Sequence, residues 1–155
     1  MADARHKQAT LTFERLVPAA VHLVFEAFAD VTKRMEWGAP SNTAALIYDA
    51  SDFREGGVDR FRCGSMNDPR FHGTTHYLRI VPDRCIVSSE TIDCDGERLC
   101  ASLTFLGLSP QGHATHLLST THVVSFVGDE MIKGTEVGNN GSLDSLMRYF
   151  SGSDD

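Results

Sequence analysis

The chain has 155 residues, 41% of them hydrophobic and 23% charged, a balance that excludes intrinsic disorder because the apolar content can bury a core large enough to offset chain entropy. Lys plus Arg number 14 against 21 Asp plus Glu, and the formal net charge of -7 disfavours nucleic acid or an anionic membrane surface as partner. No stretch approaches the roughly 20 apolar residues of a membrane span, and Met1 to Thr10 lacks the apolar region of a secretion signal. The expectations are therefore a cytoplasmic single domain over residues 1–155, with its core at about 10–151, disordered ends and no membrane insertion.

Thr10 to Arg15 alternates apolar and polar residues and reads as a first strand. Pro18 is suited to the first turn of a helix, where its missing N–H costs nothing. That helix is expected over Pro18 to Asp30, with Val21, Val24, Phe25 and Phe28 forming one apolar stripe. A second short helix over Thr32 to Trp37 is stopped by Gly38 and Pro40. Strands separated by turn residues follow: Ala44 to Tyr48, Val58 to Cys63, His72 to Val81, Cys85 to Asp93, Arg98 to Leu106 and His113 to Phe126. Asn67-Asp68-Pro69, Pro82-Asp83, Asp95-Gly96 and Ser109-Pro110-Gln111-Gly112 supply turns between them. Short links between consecutive strands imply an antiparallel meander. The chain returns to helix where Leu143, Leu146, Met147 and Phe150 repeat at helical spacing. If that helix begins as early as Asp129 it includes Gly134, Gly138 and Gly141, each costing about 1 kcal/mol against alanine, which implies a break or a need for room.

Cys63, Cys85, Cys94 and Cys100 lack the C-x2-C spacing of a zinc site and are expected as free thiols in a reducing compartment. His72 and His76 would share a helix face, but their segment reads as strand, where four residues span about 13 Å. His113 and His116 point to opposite strand faces, so no metal is expected. The chain has no G-x-S-x-G elbow, P-loop or dinucleotide fingerprint, and no cofactor is expected.

A single sheet of six or seven strands must bury one face, and a helix about 10–12 Å across covers only part of it. A twisted sheet can wrap the helix and leave an interior space suited to a small apolar ligand. The alternative is that bulky side chains fill that space.

The order of elements resembles the helix-grip fold of the START-like (SRPBCC) superfamily, which includes polyketide cyclases, plant pathogenesis-related proteins and lipid-transfer domains. More closely, the chain is similar to the branch named after the activator of the heat-shock chaperone ATPase, in its short bacterial single-domain form. The resemblance is carried by Phe25-Glu26-Ala27-Phe28-Ala29-Asp30, Trp37-Gly38-Ala39-Pro40, Asp52-Phe53-Arg54-Glu55-Gly56-Gly57, the run from Gly73 through Val81-Pro82-Asp83-Arg84 to Val87, Leu103-Thr104-Phe105 and Ser142-Leu143-Asp144-Ser145-Leu146. It implies an α+β fold: a curved antiparallel sheet of six or seven strands wrapped around a long C-terminal helix, with two short helices after the first strand. The family pattern is structural and brings no catalytic triad. The chain departs from it where Gly138 is followed by Asn139 instead of Trp, and where Ser88 stands in place of a frequent aromatic residue; both changes remove bulk from the interior.

Strand alternation nominates the site residues. With Arg79 outward, His76, Leu78 and Ile80 face the concave side; with Val87 outward, Ile86, Ser88, Glu90 and Ile92 do the same. Leu103 and Phe105 set the phase of the next strand, and Leu117 that of the one after, which places His122 outside unless a bulge reverses it. Trp37 stands either at the cavity mouth or as a core cap. The expected cavity is therefore lined by Trp37, His76, Leu78, Ser88, Glu90, Leu103, Phe105, Leu117 and Gly138. Glu90 is either an acid held in the cavity wall, with its pKa raised by desolvation, or a surface residue paired with an Arg. His76 is either its proton partner or a hydrogen-bonded wall residue.

Three functions are compatible with these residues. The first is a module binding a small hydrophobic or amphipathic molecule. The second is a cyclase- or hydrolase-type enzyme in which Glu90 and His76 are the catalytic candidates, which requires the two to converge. The third is a chaperone-regulating, protein-interaction domain, marked by an apolar patch on the convex sheet, for which a homodimer is also a candidate assembly.

Overall fold

In the computed structural model, which describes residues 5–152, the order is β1 (Lys7–Val17), α1 (Val21–Ala29), α2 (Val31–Trp37), β2 (Ala44–Ala50), β3 (Val58–Ser65), β4 (Asp68–Val81), β5 (Cys85–Cys94), β6 (Glu97–Gln111), β7 (Ala114–Ser125) and α3 (Glu130–Ser151). The expectation of disordered ends concerns residues 1–4 and 153–155, which lie outside the described residues. The strands form one seven-stranded sheet ordered β1-β7-β6-β5-β4-β3-β2, with every neighbouring pair antiparallel. Strands β2 to β7 form a meander. The excursion through α1 and α2 carries the chain from one sheet edge to the other. This is the curved antiparallel sheet and C-terminal helix of the α+β helix-grip arrangement.

Local chemistry explains most boundaries. Asp95 and Gly96 both take positive φ, 52° and 80°, as a tight hairpin turn needs. Asp30 ends α1 and starts α2, its carboxylate accepting from Thr32 N at 2.9 Å and Lys33 N at 3.4 Å. Helix α1 begins three residues later than Pro18 suggests. Ala20 stays extended as its cap, and Ala19 O is engaged by Thr115 Oγ1 at 2.7 Å, so Pro18 lies in a bend instead. Strand β6 runs on through Ser109 and Pro110 to Gln111 rather than turning there. Beyond Leu108, whose N–H donates to Arg84 O at 2.8 Å, no strand pairs with it on the β5 side, and a proline is tolerated on such an edge.

Helix α3 runs unbroken through its three glycines. A Cβ on Gly141 would lie 2.6 Å from Pro40 O, so this glycine lets α3 press against the loop after α2. Ser142 Oγ donates to Gly38 O at 2.5 Å in the same contact. The packed core gathers at one end of the concavity, where Leu143 and Leu146 meet Phe13, Val17, Val24 and Leu117. The stretch of α3 from Thr135 to its middle presents Thr135, Asn139 and Ser142 over the other end, and that end is hollow.

Candidate functional site: a cavity between sheet and helix

The hollow is a partly open cavity of about 280 Å³, just below the roughly 300–1,000 Å³ common for ligand pockets. Its floor follows from register. Asp59, Thr75, Glu90 and Ser102 form one cross-strand row, and Tyr77, Ser88, Thr104 and Thr121 form the next. Side chains in such rows share a face of the sheet, so the middle of the concave floor carries hydroxyls and carboxylates, flanked by the aliphatic side chains of Ile86, Ile92 and Leu106. Opposite it stand Phe28, Trp37, Leu46 and Phe53 from the α1, α2 and β2 side, and Leu143 from α3.

A buried polar network closes one flank. Arg34 Nη1 donates to Asp59 Oδ2 at 2.6 Å, with side-chain exposures of 8% and 1%, so the pair is withdrawn from water. The other Asp59 oxygen accepts from Ser51 Oγ at 2.8 Å and from Asp52 N at 3.1 Å, and Tyr77 Oη donates to Oδ2. Arg34 Nε donates to Phe28 O at 2.8 Å. Its Nη2 has no acceptor; the guanidinium lies over the Tyr48 ring instead, 4.8 Å from the centroid. Burial works against the Arg34 charge, but Tyr48, Tyr77 and Asp59 outweigh it and hold the group cationic. Burial likewise pushes the Tyr77 hydroxyl up, as does Asp59, although Arg34 opposes them, and Tyr77 serves as a hydrogen-bond donor.

Glu90 has no such partner. It retains some accessible surface yet is surrounded by protein, because the surface it keeps is cavity wall. Burial pushes its carboxyl above the usual range; a hydrogen bond from Thr75 Oγ1 at 2.8 Å opposes this, and Asp59 adds to it. No cation pairs with it among the described residues. The Cys63 and Cys100 thiols are pushed up to about 11 by burial and by Glu90, so both are protonated and unreactive near neutral pH. All four cysteines are free. No group of three or more metal-ligating side chains occurs among the described residues.

The structure places Trp37, Ser88 and Glu90 on the cavity wall. Trp37 is also a core cap, its Nε1 donating to Ala27 O at 2.9 Å. The other nominated residues lie elsewhere. His76 and Leu78 do not reach the cavity, and Thr75 and Tyr77 take the inward positions. A bulge between Tyr77 and Arg79 inserts Leu78 as an extra residue, so Ile80 does face the core while alternation counted back from it selects the wrong side. Leu103 and Phe105, 51% and 50% exposed, lie on the convex face. Their phase is inverted because the inward positions of β6 belong to Cys100, Ser102 and Thr104, which suit a polar cavity. The Phe105 ring instead covers Gly107, reaching within 3.0 Å of where a Cβ would stand. Leu117 faces inward but is fully buried in the core and does not border the cavity. Gly138 lies on α3 without bordering it. His122 is on the outer face, within 3.1 Å of Thr10 Oγ1.

These corrections separate the proposed acid–base pair. His76 and Glu90 project from opposite faces of the sheet and cannot converge on one ligand. Sequence reasoning missed Arg34, Asp59, Thr75 and Tyr77. An arginine inside the short helix preceding Trp37 is a local signal; the row joining Asp59 to Glu90 depends on pairing and has none.

The family model described as "Activator of Hsp90 ATPase homolog 1-like protein" matches residues 18–151. Among solved structures, a protein from Rhizobium loti is 32% identical, with a TM-score of 0.80 over 92% of this chain and 96% of that one. A protein from Rhizobium leguminosarum is 27% identical, with a TM-score of 0.76 over 92% and 97%. The AHSA1 protein of Silicibacter pomeroyi shares the fold, at 19% identity and a TM-score of 0.72 over 92% and 98%. Comparison with the curated proteins gives no match.

Proposed function

The chain belongs to the Activator of Hsp90 ATPase homolog 1-like family, and we propose that it acts in that frame as a module binding a small amphipathic molecule between sheet and α3. The carrying observation is the cavity of about 280 Å³, hydroxyl-lined on its floor and aromatic on its opposite wall. The ligand reading narrows accordingly, from hydrophobic or amphipathic to amphipathic. A purely apolar guest would strip water from Ser88, Ser102 and Glu90 without replacing its hydrogen bonds. With His76 outside, the Glu90–His76 pair on which the enzyme reading rests does not form. The four free thiols support a cytoplasmic setting, and no helix among the described residues is long and apolar enough to cross a membrane.

Native mass spectrometry of the purified protein tests the reading, with extracted small molecules identified. The expected result is a co-purifying molecule lost in Ser88→Phe, whose ring fills the hollow, while the variant keeps its stability to within about 1 kcal/mol. No cargo, together with a Ser88→Phe loss of roughly 1–3 kcal/mol from overpacking, would overturn it. A second reading, a protein-interaction surface or homodimer, rests on Leu103 and Phe105, half-exposed on one outer strand face. It requires that Phe105→Ser weaken an association seen by sedimentation.

A further inference from the structure

The charges bordering the cavity do not balance. Arg34 and Asp59 neutralise each other at 2.6 Å, and Asp59 is further satisfied by Ser51, the Asp52 amide and Tyr77. Glu90 is left with one neutral donor, Thr75, at 2.8 Å. Its surroundings suit an amphipathic cation in two ways. Ser102, its row neighbour on β6, and Ser88 supply hydroxyl oxygens that can accept from a bound group. Phe28, Trp37 and Phe53 stand across the cavity and can take the apolar remainder of a molecule whose cation is held at Glu90.

We propose that the cavity selects small amphipathic molecules carrying an ammonium group, which Glu90 receives; the assignment rests on the binding reading above. The protein has already withdrawn most of Glu90 from bulk water, so a bound amine displaces only the cavity's share of its hydration and gains a charge-assisted hydrogen bond in a shielded site. The apolar part of the guest lies against the aromatic wall. A carboxylate or phosphate guest is disfavoured, because it would place a second negative charge beside Glu90 while Arg34 is paired with Asp59 and its unpaired Nη2 is buried out of reach.

Proton balance adds a signature. Burial raises the Glu90 pKa, so below that pKa an ammonium guest must displace a proton from the carboxyl before pairing with it. Affinity then rises with pH by up to about tenfold per unit and levels off once Glu90 is ionised. The titratable groups sharing this space are Arg34 from α2, Tyr48 from β2, Asp59 and Cys63 from β3, Tyr77 from β4 and Cys100 from β6. The phenols and thiols are pushed upward and stay neutral across this range, and α3 presents Thr135, Asn139 and Ser142, which do not titrate.

The test is calorimetric titration of the full chain with phenethylamine, phenethyl alcohol and phenylacetate at pH 5 and pH 8, the amine being protonated at both. The expected result is that the amine binds at least about tenfold tighter than the alcohol at pH 8, the energy of one charge-assisted hydrogen bond. That preference shrinks at pH 5 and disappears in Glu90→Gln, whose fold is checked by its melt. Equal binding of amine and alcohol, or a preference unchanged in Glu90→Gln, overturns the ammonium assignment and leaves the binding module standing. Tighter binding of phenylacetate does the same. Failure of all three probes at millimolar concentration overturns both.

Discussion

Asp59 and Glu90 lie in one cross-strand row with Thr75 between them, yet their surroundings give them opposite roles. Asp59 receives a guanidinium and three further donors; Glu90 receives one hydroxyl. Removing the Asp59 charge strands Arg34 in a site where its Nη2 already lacks an acceptor. Asp59→Ala is expected to cost about 3–5 kcal/mol in denaturant unfolding, as for other buried pairs broken on one side. Asp52→Ala, which removes an exposed pairing with Arg54, should cost under about 1 kcal/mol. Similar losses from the two would show that the Arg34 pair is not a buried one. Glu90 gives a prediction of the opposite sign. Its folded pKa is raised above the ordinary 4.5, so its contribution to stability is fully present below that value and is lost as pH rises through the folded pKa. Glu90→Gln keeps the shape without the ionisation. It should melt at the same temperature as the wild type near pH 4, within about a degree, and a few degrees higher at about pH 8. A gap that does not change with pH would show that Glu90 ionises as freely folded as unfolded.

Helix α3 provides a comparison between glycines on one element. Gly141 faces Pro40 so closely that a Cβ would stand 2.6 Å from its carbonyl oxygen, whereas a Cβ on Gly138 meets nothing within 4 Å. Gly138→Ala should therefore stabilise by about 1 kcal/mol through helix propensity. Gly141→Ala should destabilise by roughly 1–3 kcal/mol, since backbone must move to admit the methyl group. Equal effects in chemical denaturation would remove the close-approach explanation. The same helix shows what the sequence made legible. Its apolar stripe of Leu143, Leu146, Met147 and Phe150, the hairpin at Asp95-Gly96 and the stop of α2 at Gly38 are local signals, and each identified its element. The inward residues of β5 were legible too, because Ile86 and Ile92 bracket Ser88 and Glu90 in unbroken alternation. Strands β4 and β6 were not. In β4 one extra residue, Leu78, reverses the phase. In the middle of β6 the apolar Leu103 and Phe105 mark the outside, because Ser102 and Thr104 face the hollow, and only beyond them do Leu106 and Leu108 restore the rule that apolar means inward.

At the scale of the whole molecule, core and cavity divide the concave face between them. Leu143 and Leu146 anchor the C-terminal half of α3 on Val17, Val24 and Leu117, all buried. The N-terminal half begins at Asp129, which makes no side-chain capping bond, carries Gly134 and Gly138, and leaves Val137 71% exposed over the hollow end. A helix with one half packed and the other spanning a cavity should open unevenly, since local stability follows buried apolar contact. Amide exchange is therefore expected to be at least about tenfold faster over residues 130–139 than over 143–150, an opening about 1.4 kcal/mol easier. Filling the cavity adds contacts to α3 between Thr135 and Leu143 and none beyond. Saturation with a bound guest should thus slow exchange over 130–139 and in the lining strands β4 and β5. Residues 144–150, which do not border the cavity, would gain only the global increment, RT ln(1 + [L]/Kd), which is about 2.7 kcal/mol at one hundred times Kd. Uniform exchange along α3 in the free protein would mean that the helix is held as firmly over the hollow as over the core. The aromatic wall and the hydroxylated floor would then be a rigid receptacle, and guest binding should leave the ratio between the two halves unchanged.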